Sequence, residues 1–271
     1  MTDKPVLGRS VSYVSSYSPD LLQRITRSEM RASIGLHGPL PFRGTDVWNA
    51  YELSWLSPRG LPRVAALRVV APCDCAYIVE SKSMKLYLGS FAQSRFDGVA
   101  EVSQRLRVDL CRAFGAEVEL DIREIDQLVR GVNWLSGTCL DDLDVGIEHY
   151  ECQPDLLGCD KATGEVSESV YTHVFRSLCP VTGQPDFATV WLNYSGPAIE
   201  RASLLSYLVS FRNEQAFHET TIERIFCDVK ERCTPTQLAV MGCFLRRGGI
   251  EINPVRHDTP EPPRVTRVVR Q

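Results

Sequence analysis

Val79-Glu80-Ser81-Lys82-Ser83-Met84-Lys85-Leu86-Tyr87-Leu88-Gly89-Ser90-Phe91 and Ile199-Glu200-Arg201-Ala202-Ser203-Leu204-Leu205-Ser206-Tyr207-Leu208-Val209-Ser210-Phe211 lie 120 positions apart, and this pair of stretches decides how the chain is organised. Glu, Ser, Tyr, Leu, Ser and Phe recur at matching places. Each stretch repeats apolar residues every three or four positions, the period of a helix with one buried face. Their surroundings also match. Asp46 to Leu56 and Arg63 to Val70 are strand-like runs around the turn Ser57-Pro58-Arg59-Gly60, and helix periods follow at 81–91 and 99–114. Val118, Leu120 and Ile122 then alternate with charged residues, as in a half-buried strand at 116–125. In the second half, 170–178 and 187–194 read as strands, 200–211 and 218–233 as helices, and 237–245 as a strand. The same order at the same offset is read as a tandem duplication.

The wider chain agrees with two units. At about 150 residues per domain, 271 residues predict about two domains. Hydrophobic residues at 44% and charged residues at 24% suffice for a core and argue against disorder. With 34 acidic and 30 basic residues the net charge is -4, which disfavours a general polyanion binder, so no direct nucleic-acid partner is expected. Met1-Thr2-Asp3-Lys4-Pro5 does not open a secretory leader, and no apolar run approaches a bilayer span, so the expected setting is cytoplasmic, off the membrane. There most of the ten cysteines should stay reduced, each a small buried hydrophobe, a metal ligand or a nucleophile. The expected layout is an N-terminal arm at 1–43, a first unit at 44–130, a connection at 131–166 and a second unit at 167–271. The tail from His257 reads as solvated or as a dimer contact.

Several constellations carry chemistry. Glu80 to Lys85 sits at a strand-to-helix junction, where free backbone N–H groups, a hydroxyl and ammonium groups can converge on phosphate; its other reading is a capped helix with a solvated lysine face. The second copy has Ala202 and Leu205 in place of Lys82 and Lys85, so only the first should serve an anion. Arg246-Arg247-Gly248-Gly249 can grip a phosphate or can end an exposed strand. Cys179 enters a Pro-flanked turn, with Asp186 seven residues on; the pair suits a nucleophile with a proton donor, against a structural thiol. Phe217-His218-Glu219 offers an aromatic face, a proton carrier and a carboxylate for a guanine-like edge, or an ordinary His-Glu pair at a helix start. Cys73-Asp74-Cys75 and the set His149, Cys152 and Cys159 lack the close paired spacing of structural zinc sites, so no obligatory metal is expected. No Gly-x-Gly-x-x-Gly follows a strand, so a dinucleotide would not be held in Rossmann fashion.

Taken together, 79–87, the Cys179 to Asp186 spacing, Phe217-His218-Glu219 and Arg246 to Pro254 resemble the long form of the NADPH-dependent 7-cyano-7-deazaguanine reductase family, QueF. The resemblance covers essentially the whole chain. It implies an α+β architecture of two tandem tunnelling-fold (T-fold) units, antiparallel sheets with two helices packed on one side of each. It also implies reduction of a nitrile to a primary amine by two successive hydrides from NADPH, in the biosynthesis of the tRNA nucleoside queuosine. Cys179 would form a covalent thioimide, Asp186 would donate the proton and be at least partly protonated with substrate bound, and His218 would assist proton transfer or position the intermediate. Val79, Glu80 and Ser81, with Phe217, His218 and Glu219, would hold the 7-deazaguanine, so both halves would contribute. Ser81, Lys82, Arg247 and Gly248 would bind NADPH. A homodimer is the family expectation. The rival readings are a cysteine-dependent nitrile hydrolase and a non-catalytic purine-binding T-fold protein.

Overall fold

The computed structural model describes residues 14–125, 133–160 and 162–271. The chain divides into two compact units: Met1–Ser33, Val47–Val129 and Arg246–Glu251 form unit 1, and Ile34–Asp46, Arg130–Leu245 and Ile252–Gln271 form unit 2. Neither unit is one continuous stretch, because Ile34–Asp46 and Arg246–Glu251 each group away from their sequence neighbours. The boundary expected at 130/131 lies outside the described residues.

In chain order the elements are β1 (Arg24–Thr26), α1 (Arg27–Ser33), β2 (Arg43–Leu56), β3 (Pro62–Pro72), β4 (Tyr77–Val79), α2 (Ser81–Ser90), α3 (Val99–Phe114), β5 (Glu119–Glu124), β6 (Thr138–Cys139), β7 (Glu165–Leu178), β8 (Pro185–Pro197), α4 (Arg201–Ser210), α5 (His218–Cys233), β9 (Gln237–Phe244) and β10 (Ile250–His257). The expected order of two strands, two helices and a strand is present in both halves. The fold is α+β.

Unit 1 is built on strands in the order β5-β3-β2, with β3 and β5 antiparallel and Val69 opposite Leu120. β1 and β4 form a separate antiparallel ribbon that delivers the chain to α2. Met84, Tyr87 and Leu88 on α2 and Val102, Leu106, Leu110 and Phe114 on α3 are buried, as their three- and four-residue spacing requires. Each such side chain contributes about 1.5–3 kcal/mol by leaving water. Gly115 stops α3 in the left-handed region at φ 70°.

Unit 2 orders its strands β10-β9-β8-β7-β6. β7, β8 and β9 pair antiparallel, whereas the two-residue β6 runs parallel to β7. α4 and α5 supply the buried Leu204, Tyr207, Leu208, Ile222, Ile225, Phe226 and Val229. Here the left-handed residue that ends α5 is Thr234, at φ 49°.

The duplication reaches further than the sequence reading took it. Pro19–Leu21 and Pro154–Leu156 are matching single 3-10 turns, Pro-Asp-Leu in both. Each leads back to its helix by the same bonds. Gln23 N–H donates to Ser83 Oγ at 3.1 Å and Gly158 N–H to Ser203 Oγ at 3.1 Å. Ser18 N–H donates to Ser90 Oγ at 3.2 Å and Gln153 N–H to Ser210 Oγ at 3.1 Å. So 17–23 and 152–158, assigned to the arm and the connection, are the opening turns of the two copies. Inside each copy a tyrosine hydroxyl donates to an α-helical aspartate at 2.6 Å, Tyr87 to Asp109 and Tyr207 to Asp228. Tyr87 with Phe91 and Tyr207 with Phe211 make the same edge-on contact, centroids 5.3 Å apart at 89°.

Two features of unit 2 depart from expectation. β10 is a strand buried along its whole length despite Pro254, Arg256 and His257. Its charge is matched: Arg256 Nη1 lies 2.8 Å from Asp46 Oδ1, and Nη2 lies 2.9 Å from Glu223 Oε1. The tail is packed too, with Val268 buried against Met241, Cys243 and Val255. Gln271 Nε2 donates to Asn253 Oδ1 at 2.6 Å.

Candidate active site

In unit 2 the hairpin turn between β7 and β8 carries Cys179. Its N–H donates to the Gln184 carbonyl at 2.9 Å, and Gly183 N–H donates to its carbonyl at 2.9 Å, so the backbone on both sides of the thiol is clamped. Gly183 takes φ +67°, which an L side chain adopts only under strain. The thiol is half-buried. Asp186 is the second residue of β8 and sits opposite Ser177, two positions before Cys179. That ladder register is why an acid seven residues downstream returns to the same end of the hairpin.

Asp186 is 5% exposed, and its Oδ2 lies 3.3 Å from His218 Nε2. His218 opens α5 just after Phe217, the residue at its N-cap. Its imidazole lies flat on Phe244, with centroids 3.8 Å apart and 11° between planes. Nδ1 of the same ring is buried with no hydrogen-bond partner. A buried ring nitrogen without a partner is costly, and such groups cluster where a ligand completes the bond. Glu219 follows as a carboxylate 2% exposed. The expected residues Cys179, Asp186, Phe217, His218 and Glu219 all belong to unit 2.

The remaining expected residues belong to unit 1. Val79 ends β4 and is 1% exposed, opposite Arg24 in the β1–β4 ribbon. The junction at Glu80 differs from the expected cradle of open amides. Glu80 caps α2 with its own carboxylate, Oε1 accepting from Lys82 N–H at 2.8 Å and Oε2 from Ser83 N–H at 2.7 Å. An anion therefore meets these amides already occupied, and the side chains of Ser81, Lys82 and Lys85 are what the junction offers it. Ser81 Oγ also donates to Glu80 Oε1, at 3.4 Å, so the lone pair with which Glu80 can accept from a ring N–H is on Oε2.

Arg247 and Gly248 occupy the tight turn before β10, closed by Arg247 N–H to the Ile250 carbonyl at 2.9 Å. Gly248 has φ +60°, and a Cβ there would come within 3.0 Å of Lys85 Cδ, so the glycine is what lets the turn approach that lysine stem. Arg246 is engaged differently, its guanidinium 4.8 Å above the Tyr51 ring. The sequence reading missed the group behind this turn. Glu251 is 1% exposed; its Oε1 accepts from Asn49 Nδ2 at 2.7 Å and Tyr51 Oη at 3.0 Å, and its Oε2 is buried without a partner. Glu251 stands inside the quoted Arg-Arg-Gly-Gly-Ile-Glu run, but Asn49 and Tyr51 lie on β2, about 200 residues earlier, and only their register with this turn brings them to it.

None of the ten cysteines, all among the described residues, is in a disulfide. Among the described residues no helix is long and apolar enough to cross a membrane.

Comparison with known proteins agrees in both halves. Residues 13–122 match a family described as nitrile reductase, 7-cyano-7-deazaguanine-reductase N-term, and residues 185–262 match one described as QueF-like protein. A Bordetella avium protein named NADPH-dependent 7-cyano-7-deazaguanine reductase is 48% identical, over 94% of this chain and 93% of its own. Proteins of the same name from Burkholderia multivorans and an Azoarcus species are 45% and 48% identical, over 98% and 92% of this chain and 97% and 89% of theirs. A solved apo structure of an archaeosine synthase QueF-Like aligns with 36% of this chain and 97% of that one, at TM-score 0.32 and 20% identity.

Proposed function

Because the chain belongs to the family of NADPH-dependent 7-cyano-7-deazaguanine reductases, we propose that it reduces the nitrile of 7-cyano-7-deazaguanine to the aminomethyl group, in queuosine biosynthesis, through a thioimide on Cys179. The observation that carries this reading is the Asp186–His218 pair beside the Cys179 turn, with His218 Nδ1 buried and unpartnered. The Cys179 sulfur adds to the nitrile carbon and one C–N π bond breaks, leaving a charged nitrogen that takes a proton from Asp186. His218, 3.3 Å from that carboxylate, can return a proton to it. Reduced once, the adduct expels Cys179 as the C–S bond breaks and an imine forms, and the thiolate is reprotonated. The clamped turn holds the sulfur in place for attack and departure. Glu219 and Glu80 accept from donors of the ring, Val79 and Ser81 line it, and Phe217 packs against its face.

The donor set of unit 1 fits NADPH. Lys82, Lys85 and Arg247 are cations for its phosphates, Ser81 adds a hydroxyl, and Gly248 keeps the turn free of a Cβ. Two NADPH, bound one after the other, would each supply one hydride, since nitrile to amine is a four-electron reduction. The active species is proposed to be a homodimer.

The test is incubation of purified protein with 7-cyano-7-deazaguanine. Two NADPH oxidised per amine formed is expected, whereas acid or amide formed without NADPH would establish the hydrolase. Without NADPH, intact mass should show a covalent adduct that disappears in Cys179→Ala; an unmodified wild type at saturating substrate overturns the covalent mechanism, and with no NADPH oxidised either, a purine-binding role is left.

A further inference from the structure

Unit 2 holds a second constellation, remote from Cys179. Cys139, Asp141 and His173 bring a thiol sulfur, a carboxylate oxygen and an imidazole nitrogen within 4.8 Å of one another, all three half-buried. The pairing of β6 with β7 assembles them. Thr138 lies opposite Val170 and Cys139 opposite Tyr171, and Leu140 N–H then donates to the Tyr171 carbonyl at 2.9 Å. This carries Asp141 to His173, whose N–H donates to Asp141 Oδ2 at 3.1 Å. Because the parallel ladder makes the site, a Cys-x-Asp and a histidine 32 residues on give no recognisable zinc spacing in the sequence.

An outer layer of bonds orients each oxygen and nitrogen. Asp141 Oδ1 accepts from Thr172 Oγ1 at 2.5 Å. His173 Nδ1 faces Thr189 Oγ1 at 2.8 Å, from the neighbouring β8, which leaves Nε2 as the ring nitrogen open to a ligand. The Tyr171 ring stands against the imidazole, centroids 5.2 Å apart at 64°. Hydrogen bonds of this kind fix the tautomer and ring plane of metal-bound histidines.

We propose that Cys139, Asp141 and His173 form a binding site for a borderline divalent metal ion of the zinc type, with water in the fourth position. One sulfur, one nitrogen and one oxygen donor suit Zn²⁺ rather than Mg²⁺ or Ca²⁺, which take oxygen ligands. Tetrahedral zinc at bonds of about 2.0–2.3 Å sets its ligands about 3.3–3.8 Å apart. The set therefore has to close by about 1 Å, a small side-chain rotation for half-buried groups. His173 precedes Cys179 by six residues, roughly 20 Å along an extended strand. The ion would thus tie the two-residue edge strand β6 to β7 without touching the proposed nucleophile.

The test uses chelator-treated full-length protein titrated with Co²⁺ and then Zn²⁺, read by absorbance. Wild type and Cys179→Ala should each take one equivalent of Co²⁺ with a single thiolate-to-metal band that Zn²⁺ abolishes, and each should gain thermal stability with Zn²⁺. Cys139→Ser should lose the band, and Thr189→Val should weaken binding about tenfold to a hundredfold. His173→Ala should abolish binding; should it fail to fold, Asp141→Asn, which still accepts from Thr172, should show the same loss. A band that survives in Cys139→Ser, a band that vanishes in Cys179→Ala, or a wild type that takes up no equivalent overturns the proposal.

Discussion

The two hairpin turns of the duplication are built alike and differ in what they carry. In unit 1, Leu56 N–H donates to the Ser94 carbonyl at 2.9 Å and Phe96 N–H to the Leu56 carbonyl at 2.9 Å; in unit 2, Leu178 pairs in the same way with Glu214 and Ala216, at 2.8 and 3.2 Å. The next residues are Ser57-Pro58 in one turn and Cys179-Pro180 in the other. Both turns close by a glycine N–H donating back to that residue's carbonyl at 2.9 Å, from Gly60 and Gly183. Ser57 Oγ accepts from Leu61 N–H at 3.1 Å, a structural use of a hydroxyl, whereas the thiol at the matching place is the proposed nucleophile. One residue past the first proline of the following strand stands Arg63 in unit 1 and Asp186 in unit 2. The first residue of the long helix is Val99 in one and His218 in the other. The opposite trade occurs at the short helix. Glu80 caps it and lysines follow, while Glu200 makes no side-chain cap bond and Ala202 and Leu205 replace the lysines. The backbone repeats; a few side chains divide the labour.

The largest test of this division replaces one turn's residue by the other's. Cys179→Ser should lower turnover at least about a thousandfold, the scale of losing a nucleophile that acts in concert with its partners, with melting temperature little changed. Ser57→Cys should form no substrate adduct by intact mass; an adduct there would break the comparison.

Next in size is the tyrosine–aspartate bond. Asp109 Oδ2 accepts from Tyr17 as well as Tyr87, both at 2.6 Å. In unit 2 the residue before the opening turn, where Tyr17 stands in unit 1, is Cys152, whose thiol burial pushes up to about 12. Tyr207→Phe should therefore cost about 2–3 kcal/mol, because Asp228 loses its tyrosine donor and is left with the longer pair to Arg224, 3.7 Å away, whereas Tyr87→Phe should cost about 1 kcal/mol. Urea melts of the two variants compare them directly.

Smaller still is the exchange at the helix ends. Thr234→Gly should stabilise by up to about 1 kcal/mol by relieving a left-handed threonine. Gly115→Thr should destabilise by more, since a Cβ there meets Tyr77 Cδ2 at 3.1 Å.

The smallest effect separates the units by pH. Burial, with Arg43 nearby, holds the His257 imidazole below its ordinary value. A base with a depressed folded pKa stabilises the fold above its unfolded value of about 6.5 and loses that contribution as pH falls below it. Going from pH 7 to 5.5 should lower the melting temperature of wild type by about 1 °C more than that of His257→Gln.

Much of this was legible in the sequence. α3 and α5 run over Val99–Phe114 and His218–Cys233, as their periodicity indicates, because a single buried face dictates it. Asp186 returns to the Cys179 end of the hairpin because the β7–β8 register, Ser177 opposite Asp186, converts a sequence offset into nearness. β10 escaped because a strand buried on both faces has no alternation, and the charge of its Arg256 is matched by Asp46 and Glu223, which only the fold supplies. The opening turns escaped although Pro-Asp-Leu-Leu stands at both 19–22 and 154–157. Their offset is 135 rather than 120, so a search at one fixed period passes over them. The occupied amides at Glu80 escaped because spacing cannot tell a carboxylate that binds a ligand from one that caps its own helix.

The bonds from Asn49 and Tyr51 to Glu251 also bear on how the protein is made. They span 202 and 200 residues within unit 1. At roughly 5–20 residues per second, translation from Val129 to Glu251 takes about 6–24 s. For that interval a nascent unit 1 has β2 without the segment that completes it, an unpaired edge of the kind that invites aggregation. Arg247 and Gly248, two of the proposed cofactor residues, follow Cys179 in the chain, so under this proposal the emerging chain holds the thiol before its cofactor site is complete.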